Sequence, residues 1–597
     1  PCSVRIFSAH AGSSGGHSSS LSVTRDLRVS DRLSETLAIE NQLGSLQHVE
    51  VRYLFASDFA DIFEVRSSSG VPGVVAGAQV STESDGMIGR TFYAEGDFKR
   101  ATRVEFSAQG DSGPGVVVFG LDLEPHERWE LDIELIPEGA SQSVAGPVAL
   151  PTAATRPELE TNIEGLEKLY RQSVMDLDAL TFMPRGDVSE IACAAGLPWF
   201  MALFGRDSIL TAYQALPFFP RLAKGTLLSL ASYQATRLDD YREAQPGKIL
   251  HELRVGKLAS LGRIPHTPYY GSHDATPLFL ILLDEYERWT GDAALVKELE
   301  KPAFAGLEWM ETYGDIDGDG YLEHETRPGA ALTNQGWKDS AEAMAFADGT
   351  RAEGPIAACE FQGYAYDARL RMSRLCREVW EQEGRAEELE ADALRLKTTF
   401  NRDFWSEPRG HYVLALDGHK RQVDALTSNI GHLLWCGIVD DTRAGPTVGS
   451  LSSDEMFSGW GVRTMSKADG AYNPLGYHNG AVWPHDCAIA AEGMRRYGFA
   501  DEASHLIGAL LDAAPYFDYR LPEVFSGYAR ADTEVPVAYP TACRPQAWAA
   551  GAVLLMLRTL LGLEPGGETH RAPLLRREET ELFVSGVTER GRAKGPC

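Results

Sequence analysis

The run Gln335-Gly336-Trp337-Lys338-Asp339-Ser340 sets an acid beside an indole on a glycine-hinged turn, just after the acidic stretch 315–325. A carboxyl held against an aromatic plane is poorly solvated, which raises its pKa and suits it to donate a proton. Far downstream, Leu521-Pro522-Glu523-Val524-Phe525-Ser526-Gly527 puts a second carboxyl, Glu523, in an apolar loop bounded by Pro and Gly. Two carboxyls in unlike surroundings are the minimum equipment for cleaving a glycosidic bond. Taken alone, the pair is accounted for equally well by a helix cap at Asp339 and an ion pair at Glu523.

Other loops repeat one theme, an aromatic residue beside a polar hydrogen-bonding group. Trp199 to Ser208 carries Phe204, Arg206 and Asp207, and the PHTPYYGSHD run carries Tyr270 and Asp274. Glu360 and Gln362 flank Phe361, while Trp460 and Arg463 share a Gly-rich loop. The YHNGAVWPHD run holds His478, Asn479, Trp483, His485 and Asp486, and Trp337 and Lys338 adjoin Asp339. Aromatics stack on sugar faces, and an Arg-Asp pair offers donors and acceptors to vicinal hydroxyls. Any one of these loops reads equally as a capped helix start; their accumulation points to one polar pocket with aromatic walls.

Other chemistries are less well supported. There is no strand-to-helix nucleophile elbow, phosphate-binding Gly-Lys-Ser/Thr loop or dinucleotide fingerprint. Asp315-Ile316-Asp317-Gly318-Asp319-Gly320 matches the first half of a calcium loop, but Thr326 stands where the bidentate Glu belongs. A tight Asp/Gly turn is the favoured reading, with weak Ca²⁺ binding through Asp315, Asp317, Asp319 and Glu323 left open. His485-Asp486 and His273-Asp274 lack a third ligand at useful spacing. No cofactor or other metal is expected.

The elements that must position these loops are read from size and periodicity. At 597 residues, at least two domains are expected, or one large toroidal domain with a smaller one. A net charge of −29 spread along the chain argues against nucleic acid or an anionic membrane and for a neutral small-molecule or oligosaccharide substrate. No apolar run approaches the roughly 18 residues of a membrane span and no leader is visible, so a soluble, cytoplasmic protein is expected. Eight scattered Cys without a Cys-x-x-Cys pair read as free thiols in a reducing compartment. Nothing in the sequence fixes an oligomeric state.

Residues 1–20, rich in Gly, Ser and His, are expected to be a flexible or appended segment. Residues 21–145 alternate with period two between Gly, Asp and Ser breaks, which predicts an antiparallel β-sandwich. Within it, the acids of the run from Asp58 to Arg66 are expected to fix a turn and pair with Arg66. A Pro/Ala/Gly linker, 146–156, follows. From Pro157, Leu159, Ile163, Leu166, Leu169, Tyr170, Val174, Leu177 and Leu180 recur at helical spacing, and helical patterns continue to residue 563. Three joints, at Gly291, Gly384 and Gly498, are expected to end one helix and release the next. About a dozen helices predict six hairpins closed into a ring, a mainly α fold with an (α/α)6 barrel after the sandwich. The tail, 564–597, has one strand-like run at Glu581-Leu582-Phe583-Val584 and is expected to return to the sandwich or to the barrel exterior.

Eight runs carry a resemblance: DFADIFEVR from Asp58, FGRDS from Phe204, NQGWKDS from Asn334, EFQGY from Glu360, SGWGVRT from Ser458, YHNGAVWPHD from Tyr477, LPEVFSG from Leu521 and the run from Tyr539 to Trp548. Together they resemble bacterial amylo-α-1,6-glucosidase, or glycogen debranching enzyme-like, glycoside hydrolases. More distantly the chain is similar to processing α-glucosidase, trehalase and mannosylglycerate hydrolase. The resemblance implies an exo-acting inverting glycosidase that releases one sugar, glucose foremost, from an α-glucoside or oligosaccharide. Alternatives are the same fold acting on a mannoside, rhamnoside or osmolyte glycoside such as mannosylglycerate, and a glycan-binding protein without turnover. By family position Asp339 is the general acid and Glu523 the general base, with Phe204, Arg206, Asp207, Trp337, Trp460, His485 and Asp486 lining the sugar subsite. The chain departs from the eukaryotic bifunctional debranching enzyme in showing no second, transferase-type barrel, and the sequence before about Ser30 matches no part of the family pattern.

Overall fold

The computed structural model describes residues 2–11, 19–66, 79–139, 157–187, 190–325, 332–565, 581–589 and 592–593. The expected linker at 146–156 and Thr326 lie outside them, as do parts of the 1–20 and 564–597 segments. The chain forms two compact units, Pro1–Gln142 with Val255–Ile264, and Ser143–Arg254 with Pro265–Cys597. Helix makes up 38% of the described residues, which form a mixed helix and sheet molecule rather than the mainly α one expected.

The first unit is two antiparallel sheets. Strands β1 (Cys2–Ala11), β2 (Ser19–Val29), β3 (Leu33–Asn41), β4 (Gln47–Leu54), β5 (Gln79–Ser84), β6 (Ile88–Glu95), β7 (Phe98–Phe106), β8 (Asp111–Gly113), β9 (Val116–Leu123) and β10 (Arg128–Glu138) pair in the orders β1-β2-β3-β10-β7-β6-β5 and β4-β9-β8. The alternation seen in the sequence is the core itself: Leu37, Ile39, Val104, Phe106, Leu131 and Ile133 of the large sheet pack on Val117, Phe119 and Leu123 of the small one. Cys2–Ala11, inside the segment expected to be flexible or appended, is instead an edge strand paired along its length with β2. Its hold is backbone pairing; the side chains of residues 3–9 are exposed, so burial left no alternation to read. In the Asp58 run, Asp61 caps a short helix through the Phe63 N–H, and Glu64 pairs with Lys257 at 2.6 Å.

The second unit is built from helices α1 (Leu166–Leu180), α2 (Gly205–Ala215), α3 (Pro220–Ser232), α4 (Ala275–Thr290), α5 (Glu300–Trp309), α6 (Cys359–Glu378), α7 (Glu383–Asp403), α8 (Asn429–Cys436), α9 (Asp441–Leu451), α10 (Pro484–Arg496), α11 (Ala500–Ala513) and α12 (Ala547–Leu561), in addition to short helical turns. The even-numbered helices touch in a closed circuit, α2 to α4, α6, α8, α10, α12 and back to α2, and each also packs on at least one odd-numbered neighbour, α4 on both α3 and α5. Burial explains this order. The even-numbered helices are buried nearly all round; α7 buries only every third or fourth residue, Ala386, Leu389, Ala393, Leu396 and Phe400, which is the stripe of an outer helix.

Two expected helix joints hold, since Gly291 and Gly498 adopt φ of 70° and 86°, the left-handed conformation that a Cβ disfavours. The third does not: Gly384 lies inside α7, and Glu381 takes the left-handed φ of 58° in its place. Near Pro157 the helical reading also fails at its start. Glu158–Thr161 is a strand paired with Leu582–Ser585 of the tail, and α1 begins only after Gly165. The tail thus returns to the helical unit, with Val584 fully buried.

Candidate active site

The first turns of the even-numbered helices supply a converging set of polar side chains. Arg206 and Asp207 open α2, Asp274 precedes α4, Glu360 opens α6, Asn429 opens α8, His485 and Asp486 open α10, and Gln546 and Trp548 stand at the start of α12. Helix N-termini carry partial positive charge and unpaired N–H groups, which favours carboxylates there. The acids further along the same helices are treated differently. Glu285 meets Arg371 and Arg558 at 2.6 Å each, and Glu492 meets Arg495 and Arg496 at 2.8 and 3.0 Å. Those are paired structural charges; the acids of the first turns mostly are not.

Asp339 reaches this set from its own loop. Gly336 lies so close to α6 that a Cβ there would stand 2.9 Å from the Phe361 ring, which is why the hinge is glycine. Arg206 donates to Asp339 Oδ2 at 3.3 Å and to Asp274 Oδ2 at 2.9 Å, and Asp274 also accepts from Ser272 at 2.5 Å. Asp339 keeps 28% of its side chain exposed, so it can meet a ligand. Glu523 is 2% exposed and receives two donors, the Tyr477 hydroxyl at 2.5 Å and the Cys543 N–H at 2.9 Å. Asp207 faces Gln546 Nε2 at 3.4 Å.

Burial pushes Asp339 up to about 6 against the pull of Arg206, and Glu523 up to about 7 against its bonds to Tyr477 and Cys543. Asp207 is likewise raised by burial, to about 7, with Arg206 opposing. The charges of Asp207 and Asp339 both raise Glu523, so a proton on Asp339 favours ionisation of Glu523. The two donors on Glu523 suit an anion in any case, whereas Asp339 has one cation shared with Asp274. The partners therefore suit a proton donor at Asp339 and an acceptor at Glu523, while the values of about 6 and about 7 make that ionisation the minority form of the pair.

A stability consequence follows. Glu523 is raised in the fold to about 7, so stability is full below the ordinary glutamate pKa and is lost as pH rises through 7. Glu523→Gln lacks that loss: it is expected to gain on the order of 2 kcal/mol at about pH 8 and nothing near pH 4, read from thermal midpoints at the two pH values.

The walls are aromatic. His485 lies flat on Trp548 with ring centres 3.9 Å apart, and Trp337 meets His485 and Trp483 edge to face at 5.1 and 5.6 Å. Burial lowers His485 to about 3, so its ring is neutral. Asp486 stays below the ordinary aspartate range: burial opposes this, but His432 Nε2 bonds it at 2.9 Å. Among the described residues no partner is in reach of Trp337 Nε1, either nitrogen of His485, Asp486 Oδ2, Gln546 Oε1 or Trp548 Nε1, all buried. Buried polar atoms without partners cost free energy unless water or a ligand meets them. A polyhydroxylated ligand would supply such partners.

Not every residue expected here faces this set. Gln362 brackets the Leu322 N–H and C=O, Arg463 holds the carbonyls of Gly527 and Asp454, and Asn479 donates to the Glu342 carbonyl. These polar groups are spent on backbone, which fixes loops rather than ligands. Tyr270 bonds the Tyr233 carbonyl, and Trp460 is packed against Arg530 and Tyr516. Lys338 donates to the Thr464 carbonyl beneath Trp337, and Phe204 packs on His251 and Arg254. A cavity of about 230 Å³ adjoins Gln335 and His273 and is lined by Glu243, Gln245, Lys248 and Asp315 as well.

Five residues that sequence reasoning left out belong to the set: Asn429, His432, Gln546, Trp548 and Tyr477. Asn429 and His432 sit three apart on the otherwise apolar α8, the one signal that marks them. In the acidic loop, Lys420 Nζ stands 2.9 Å from Asp317 and 2.6 Å from Asp319 and also bonds Glu323, while Asp315 accepts the N–H groups of Gly318 and Gly320. Asp315, Asp317 and Glu323 also bring one carboxylate oxygen each to within 4.8 Å of one another.

Two acids of raised pKa, one buried and one part-exposed, unlike in their partners and set among aromatic rings and unpaired polar atoms, make a site of the glycoside-cleaving class. Residues 206–525 match the family described as mannosylglycerate hydrolase MGH1-like glycoside hydrolase domain, and the chain belongs to this family. Residues 3–134 match the N-terminal domain of some glycogen debranching enzymes, so the similarity extends through the stretch before Ser30 that the sequence reading left unmatched. No curated protein sequence matches the chain. Among solved structures, a GH78 family rhamnosidase of Bacillus sp. GL1 is similar in fold, with a TM-score of 0.55 at 12% identity. The match covers 95% of this chain and 51% of that one, so this chain spans about half the length of its structural neighbour. Among the described residues no helix is long and apolar enough to cross a membrane.

Proposed function

We propose that the chain is an exo-acting, inverting glycoside hydrolase of (α/α)6 architecture that releases a monosaccharide by single displacement, without a cofactor. The observation that carries this is the pair Asp339 and Glu523, on separate loops, both raised by burial yet held by opposite kinds of partner. Asp339 protonates the glycosidic oxygen as its bond to the anomeric carbon breaks. Glu523 takes a proton from the water that attacks the opposite face. The turnover ends with Asp339 ionised and Glu523 protonated, and solvent exchange resets both.

Inversion is tested by NMR of the first-formed anomer; a product of unchanged configuration would reject it. The sugar is proposed to be glucose from an α-glucoside or oligosaccharide. A mannoside or osmolyte glycoside is the second reading, favoured by the name of the matched family. A panel of natural glycosides scored by released sugar separates the two, and tight sugar binding with no release would leave only a glycan-binding protein. The cytoplasm is the proposed compartment, consistent with the buried free thiols of Cys193, Cys359, Cys376, Cys436, Cys487 and Cys543.

The pH profile of kcat/KM is expected to be a narrow bell. Activity rises as Glu523 loses its proton and falls as Asp339 loses its own, and values of about 7 and about 6 put the maximum between those limits. A plateau extending well above pH 8, measured at constant ionic strength, would contradict this assignment of the proton donor.

A further inference from the structure

Two adjacent residues on one loop bond one carboxyl and the residue that follows the other. The Tyr477 hydroxyl donates to Glu523 Oε1 at 2.5 Å. The next residue, His478, accepts at Nδ1 from the Ser340 N–H at 3.3 Å and lies 2.8 Å from Ser340 Oγ, and Ser340 follows Asp339 directly. The chain therefore runs from acid to base through two side chains whose Cα atoms are covalently fixed about 3.8 Å apart.

The pair is itself immobilised. The His478 ring stacks on Trp483 at 5.3 Å and 18°, and Trp483 Nε1 donates to the Tyr477 carbonyl at 2.7 Å. Tyr477 packs on Trp483 and Tyr539, while the next two residues are tied down by bonds from Asn479 to the Glu342 carbonyl and from the Gly480 N–H to Thr464 Oγ1. His478 is fully buried and held neutral by that burial, so Nδ1 remains an acceptor for both Ser340 donors.

We propose that the dipeptide Tyr477-His478 sets the separation of the proton donor and the water-activating base, and thereby holds the enzyme to inversion. This rests on the assignment of Asp339 and Glu523 above. The demand is geometric. Inverting sites need carboxyls about 6.5–9.5 Å apart, retaining sites about 5–5.5 Å, so a small drift of either loop closes the space for water. Tyr477 and His478 are positioning residues; neither has to touch substrate. Tyr477 has a second effect, because its bond favours the Glu523 anion.

The test compares Tyr477→Phe, His478→Ala and His478→Asn with Asp339→Asn and Glu523→Gln. Tyr477→Phe is expected to lower kcat about 10²-fold with KM changed less than about threefold. Its alkaline breakpoint should move up by about one pH unit with a lower maximum, since Glu523, whose pKa already lies above that of Asp339, loses a donor that a purely structural residue would not provide. His478→Ala should lose a similar factor, and His478→Asn, whose Oδ1 stands near the lost Nδ1, should recover most of it. Should His478→Ala not fold, Ser340→Ala removes the hydroxyl at the other end of the same contact. Wild-type kcat and pH limbs in Tyr477→Phe and Ser340→Ala, with turnover lost in the two carboxyl variants, would overturn the positioning role and leave the acid and base assigned. Turnover kept in the carboxyl variants would instead remove the assignment beneath it, and the proposal with it.

Discussion

Asp339→Asn is expected to lower kcat on an unactivated glycoside by about 10⁴-fold while changing KM little. The amide matches the carboxyl in shape, and Arg206 keeps its bond to Asp274, so the loop has no reason to move. What is lost is the proton for the departing oxygen. An alkoxide leaves poorly without it, whereas fluoride leaves unaided, so the same variant acting on the glycosyl fluoride should retain activity within about tenfold of the unaltered enzyme. A loss of equal size on both substrates would show that Asp339 does something other than donate a proton.

Glu523→Gln is expected to lose about 10³-fold or more on both substrates, because water must be activated whatever leaves. Tyr477 and the Cys543 N–H can both bond the amide oxygen, so this change too should be structurally quiet. Azide, which needs no base, should restore part of the rate and yield the glycosyl azide of inverted configuration. An azide product of retained configuration would mean that azide captured a glycosyl-enzyme formed on another residue, so that Glu523 would be the acid/base of a retaining site. The contrast between the two variants assigns the roles without reference to where either residue sits, since only the donor's loss depends on the leaving group.

Much of this was legible before the structure. The acid pair, Trp337, Arg206, Asp207, His485 and Asp486 could be found because each breaks the local pattern, a charge or an indole where periodicity asks for neither. Gln362, Arg463, Asn479 and Tyr270 break it in the same way, yet serve backbone groups. Residue type and spacing do not distinguish a polar group spent on a carbonyl from one left for a ligand, because the carbonyl belongs to a loop distant in sequence. Cys2–Ala11 escaped for a related reason: an edge strand held by backbone pairing needs no buried side chain, and only burial writes a period into the sequence.

By itself the sequence determined the alternation of the first unit and the helical periods of the second, which rest on which face is buried, and it singled out Asp339 and Glu523 as candidates on local chemistry. The tertiary structure decided which first turns meet, that Glu523 takes its donors from Tyr477 and Cys543, and that the acidic loop closes on Lys420. Those contacts join residues 20 or more positions apart in the chain, and such contacts are chosen by packing and by the cost of leaving buried polar atoms unmet, not by any neighbour along the backbone.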